Sequence, residues 1–132
     1  MNINIDKHKA HFGGESKLTN YLDQEWRRSN PHEYIKTLEM YSKGFMNKLS
    51  NNQLRNVFDK IKQIKENKVM SLQLLRPNIV NAAARQSGNS RKAPLAFLAH
   101  FAGLVTTDDQ FNLFVDFLEA LVGYHKLYEE KQ

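Results

Sequence analysis

The chain has 132 residues, 41% of them apolar and 25% charged, with a net charge of +5 and no cysteine. This length and composition suit one globular domain with its own core. They exclude a wholly disordered chain, a disulfide scaffold, a thiolate metal site and a cysteine nucleophile. No apolar run approaches the roughly 20 residues that cross a bilayer, and the polar start MNINIDKHKAHFGG lacks a signal-peptide core. The expectation is a cytoplasmic protein that does not enter a membrane. Six glycines and three prolines supply too little turn chemistry for an all-β fold.

Residues 1–16 show no periodicity and contain Gly13-Gly14, which predicts a flexible tail or a late-docking arm. Leu18, Tyr21, Leu22 and Trp26 predict a short helix over 17–29, broken at Ser29-Asn30-Pro31. Pro31 suits the first turn of the next helix, expected over 31–47. Ser50 stands three residues before Gln53, the capping-box spacing, and Leu49 with Leu54 has the spacing of a hydrophobic staple. Leu54, Val57, Phe58, Ile61 and Ile64 then predict an amphipathic helix over 50–66. Leu72, Leu75, Ile79, Ala82 and Ala83 predict another over 70–86, kinked or restarted at Pro77. Residues 86–92 (QSGNSRK) read as a polar loop, and Pro94 as the start of a helix to about Val105. Thr107 and Gln110 repeat the capping-box spacing before a last helix over 108–129. That helix is apolar nearly all round, so it is either central in the bundle or shared with a partner. Neither repeat nor βαβ alternation appears. The predicted fold is all-α, a compact bundle of about five helices spanning 17–132 behind the tail.

Charge is distributed unevenly. Residues 48–92 carry ten basic and two acidic side chains, whereas residues 93–132 carry two basic and six acidic ones. A polyanion partner at one end and a protein partner at the other fit this asymmetry. No phosphate-binding glycine loop is present, and the carboxylates of the last helix do not line one coordinating face, so neither a metal nor a cofactor is expected. His8 and His11 are too sparse for a metal motif, and His32, His100 and His125 are isolated. The basic segment remains. Arg55 and Lys62 share a helical stripe, each followed at i+4 by an acid, Asp59 and Glu66. They make either exposed ion pairs or a cationic ladder for phosphates. Asn78, Asn81 and Arg85 share a stripe on the next helix, leading towards Arg91 and Lys92, and these residue types suit phosphate, sugar and base-edge contacts. Few aromatics interleave, so backbone contact should outweigh base stacking.

Three segments together resemble a known family. LSNNQLR (49–55), LLRPNIVNAAAR (74–85) and FVDFLEALVGYHK (114–126) look like the small helical subunit of type III-A CRISPR–Csm effector complexes. The family pattern favours a lysine after the proline, an aromatic soon after it, and a glycine before the arginine. Asn78, Asn81 and Ala84 stand at those positions here, while Arg76 and Arg85 match. The resemblance implies a non-catalytic RNA-binding subunit, stacked in a filament beside the backbone subunits and lining the channel that holds guide and target RNA. Carried over by position, Lys48, Arg55, Arg76 and Arg85 are the implied RNA contacts, joined by Lys62, Arg91 and Lys92 from the charge reading. The expected partners are guide and target RNA, other complex subunits and further copies of the chain, as a filament or a dimer. The alternatives are a DNA-binding helical regulator reading through the 50–66 helix, a small ribonuclease using His125 or His100, and an adaptor without RNA affinity.

Overall fold

A computed structural model describes residues 3–129. Among them there is no strand, and the expected all-α class holds. Eight α-helices are present instead of about five: α1 (Asp6–His11), α2 (Glu15–Leu18), α3 (Gln24–Ser29), α4 (Pro31–Gly44), α5 (Asn51–Lys62), α6 (Lys68–Ala84), α7 (Asn89–Ala102) and α8 (Asp108–Tyr128), with a 3-10 turn at Thr19–Leu22. The excess lies at the N-terminus. The single helix expected over 17–29 is split because Asp23 is extended, with φ −119° and ψ 114°, and its carboxylate accepts from the Glu25 and Trp26 amides. An Asp side chain satisfying the orphan donors of a new helix starts α3 and so ends what precedes it.

The segment expected as a flexible tail is instead packed on the body. His8 and Phe12 are buried, and Phe12 stacks on Phe97 of α7 at 5.2 Å with nearly parallel planes. The Phe12 ring also lies 5.0 Å from Tyr21 and from Tyr41. His8 Nδ1 shares a hydrogen bond of 2.8 Å with the Tyr41 hydroxyl, and His11 Nε2–H donates to the Thr37 carbonyl at 2.9 Å. An apolar period was invisible because α1 itself (DKHKAH) carries no large apolar side chain, and its apolar core contacts fall on the flanking Ile5 and Phe12. Gly13 and Gly14, at φ 94° and 98°, make the reversal that returns the chain to α2.

The last helix resolves in favour of the central position. α8 packs against α4, α5, α6 and the 3-10 turn, and Phe114, Phe117, Leu118 and Leu121 are completely buried within one chain. Of the two expectations for this helix, Phe114, Phe117 and Leu121 take the central one. The α5 start forms as expected: Ser50 Oγ accepts from the Gln53 amide at 3.3 Å, and Leu49 and Leu54 are buried together. Thr107 likewise caps α8, but Gln110 reaches back to the Thr106 amide at 2.8 Å, one residue earlier than a regular capping box. α6 runs straight through Pro77. α7 begins at Asn89, five residues before Pro94, because Gly88 at φ 78° turns the chain early and its carbonyl accepts from the Arg91 and Lys92 amides.

Candidate nucleic-acid interface

α5 and α6 lie side by side, and between them runs a groove of about 360 Å³. From α5 it receives Gln53, Asn56 and Lys60, at i, i+3 and i+7 along one flank of the buried stripe. From α6 it receives Asn78, and from the residues just past its end Arg85, again seven apart, and Gln86. Its floor is Val57, Leu75, Ile79 and Ala82. The periodicity that buries Leu54, Phe58 and Ile61 turns this polar row sideways towards α6, so the groove follows from the amphipathic pattern. Neither the Lys60 nor the Arg85 side chain has an ion pair or hydrogen bond among the described residues.

The seven sequence candidates are dispersed. Arg85 alone lines the groove. Lys48 is exposed in the turn before α5. Arg55 is half-buried on the opposite flank of α5, and Lys62 shares that flank, its Nζ 5.2 Å from the Phe58 ring. Neither forms the i+4 ion pair the sequence offered. Lys62 instead joins Lys65 and Lys68 around a second, shallower hollow beside Phe111 and Asp116. Arg91 is half-buried on the first turn of α7. Lys92 Nζ donates to the Ala84 carbonyl at 3.0 Å, serving the exposed C-terminal carbonyls of α6.

Arg76 serves a helix end in the same manner. Its Nε donates to the Ala99 carbonyl at 2.8 Å and its Nη1 to Gln73 Oε1 at 3.1 Å, while Gln73 Nε2 donates to the Ala102 carbonyl at 2.9 Å. Gln73 and Arg76 thus form an i, i+3 clasp over the last turn of α7, where acceptors are orphaned and the helix dipole is negative. Gly103 lets the guanidinium in, since a Cβ there would lie 2.6 Å from Arg76 Cζ. Lys60 was missed by sequence reasoning because it interrupts no motif. Its signal was the polar row Gln53-Asn56-Lys60 flanking the apolar stripe. The Asn78-Asn81-Arg85 stripe is divided: Asn81 faces a neighbouring hollow with Arg76, Pro77 and Val80.

The histidines do not assemble a catalytic pair. His125 is completely buried and its Nε2–H donates to the Leu49 carbonyl at 2.6 Å. His100 Nε2 lies 2.7 Å from the Glu15 carboxylate on the far side of α7 from the groove-forming helices. The N-terminus of α5, the candidate DNA-reading end, is also occupied: the Asn51 amide donates to Glu129 Oε2 at 2.6 Å. No metal-binding cluster exists among the described residues, and no described helix is long and apolar enough to cross a membrane.

The profile of a family described as Csm2 Type III-A matches residues 28–131, from the end of α3 to beyond α8. The chain belongs to that family. Searches of curated proteins and of solved structures returned no match. Csm2 membership makes the chain a subunit of a type III-A CRISPR–Csm effector complex. The matched span holds both helices of the groove and the central α8, while α1, α2 and the 3-10 turn precede it.

Proposed function

We propose that this Csm2 chain contacts the RNA backbone of the effector complex through the α5–α6 groove and its basic surroundings, without catalysing a reaction, and that copies stack along that RNA. The observation that carries the RNA reading is the meeting of Lys60 and Arg85 on one groove, with no acidic partner for either among the described residues. Two unpaired cations on a shared surface repel each other, and an external polyanion relieves that repulsion. The excess of basic residues over 48–92 supplies further positive charge around them.

For stacking, the outer face of α6 replaces α8. Met70, Leu74 and Val80 are 57%, 71% and 45% exposed. With Pro77 they make an aliphatic ridge on a helix whose other side is already in the core. The receiving surface is the hollow between α4 and the end of α8, lined by Pro31, Ile35, Met40 and Tyr128. No residue belongs to both surfaces, so the contact is heterologous and continues as a filament.

RNA binding is tested by titrating the full chain with a single-stranded oligonucleotide at several salt concentrations. If about five phosphates are engaged, log affinity falls with log salt at roughly −0.7 per phosphate, a slope of about −3.5. Lys60→Ala and Arg85→Ala each reduce the slope's magnitude and leave the melting temperature unchanged. A slope near zero, or full affinity in both variants, refutes the RNA reading.

A further inference from the structure

Resting on the RNA reading above, we propose that the α5–α6 groove seats one unstacked nucleobase of single-stranded RNA, with Lys60 and Arg85 holding the phosphates that flank it. Phosphate binding alone requires cations on a surface and no cavity. Here the cations rim a hollow of about 360 Å³, within the size range of small-ligand sites. The hollow also has what a base requires and a phosphate does not. Its floor is aliphatic, from Val57, Leu75 and Ile79, and accepts the flat face of a ring. Its walls carry the amides of Gln53, Asn56 and Asn78, none of whose side chains has a hydrogen-bond partner among the described residues. Each amide offers two donors and a carbonyl acceptor, the complement of a base edge. Gln86 spends its Nε2 on the Ala82 carbonyl at 3.2 Å and presents its remaining oxygen.

No carboxylate lines the groove, so nothing in it opposes an anionic ligand. No aromatic ring lines it either, which leaves the Arg85 guanidinium as the planar group for the exposed face of the base. Since every base offers donors and acceptors to a mobile amide, the seat takes any base and reads no sequence. Backbone contact then continues on both sides of it, and the nucleotide in the groove is turned out of the stack.

The test compares two 12-mers on the full-length chain by fluorescence anisotropy: oligouridylate, and an abasic ribose-phosphate strand of the same length. The uridylate is expected to bind about tenfold tighter, the contribution of about one net hydrogen bond from an amide to a base edge. Asn56→Ala with Asn78→Ala is expected to lower the uridylate to the abasic level and leave abasic binding unchanged. Lys60→Ala with Arg85→Ala weakens both strands. A 2-aminopurine placed mid-strand is expected to brighten on binding as it unstacks, and to stay dim with the double-asparagine variant. Both asparagines are exposed. Should that variant melt early, Asn78→Asp provides the second probe: a carboxylate at the wall repels the strand with bases and without. Equal affinity for the two strands overturns the base seat and leaves the backbone reading standing. Failure of both strands to bind overturns both readings. Displacement by an acidic peptide but not by uridine monophosphate assigns the groove to a protein partner and overturns the base seat.

Discussion

His8 illustrates how one side chain ties the arm to solution conditions. Burial first, and the neighbouring His11 second, hold its imidazole down to about 4, against an ordinary value of 6.5. Between those two values the unfolded chain takes up a proton that the folded chain refuses. Stability therefore falls as pH drops through 6.5 and stops falling, for this residue, below about 4. Thermal melts across that range should show a steeper loss in the wild type than in His8→Gln, which keeps polar atoms near Tyr41 but does not titrate. Identical slopes would remove His8 from the acid response. Arg76 gives the second residue-scale outcome. Its hydrogen bonds, one to the Ala99 carbonyl at the end of α7 and one to Gln73 of its own helix, are charge-assisted, so Arg76→Ala should cost about 1.5–3 kcal/mol by denaturant unfolding. Normal stability combined with a lost RNA contact would return Arg76 to the interface. Gly103→Ala should reproduce the stability loss by displacing the same guanidinium.

Among the helices, those with a clean apolar period were legible, and those started by side-chain chemistry were less so. α5 and α8 emerged with their caps because Ser50 and Thr107 each precede a glutamine at the diagnostic spacing. α3 did not, since its Asp23 cap falls inside a stretch whose apolar residues read as one helix. The site was half legible. Arg85 was found from its stripe, but Arg76 and Lys92 belong to helix ends that only the packing of α6 on α7 reveals. Composition left the last helix open between centre and interface and did not single out the uncovered face of α6. α8 is apolar all round because four neighbours cover it, whereas α6 carries its spare apolar side into solvent. Phe117→Ala should therefore act on stability, by about 3–5 kcal/mol. Leu74→Gln should leave stability almost untouched and reduce concentration-dependent association in sedimentation. A variant of Leu74 that unfolds, or that associates as the wild type does, would exclude the α6 ridge as a contact.

At the level of the whole molecule, the Csm2-matched span and the folded unit do not coincide. The match begins at residue 28, yet Phe12 sits against Phe97, Tyr41 and Phe117 in the core. Phe12→Ala should lose about 3–5 kcal/mol, the range for removing a buried phenyl ring. A fragment starting at residue 28 should melt lower and bind a hydrophobic dye at the vacated aromatic site. If the fragment matches the full chain in stability, the arm is ornamental. RNA affinity should survive Phe12→Ala below the new melting point, because the groove draws only on α5, α6 and the two residues after it.

The seat of the arm also fixes an order of events during synthesis. Asn4 bonds to Asn89, 85 residues later in the chain. At roughly 5–20 residues per second, α1 leaves the ribosome many seconds before α7 exists to receive it. For that interval the N-terminal segment meets only its partners on the 3-10 turn and α4, Tyr21, Thr37 and Tyr41, and lacks Asn89 and Phe97. A nascent chain stalled anywhere before α7 therefore carries Phe12 without the Phe97 face that covers it, within reach of a chaperone. Release of the arm from that chaperone marks the emergence of Phe97.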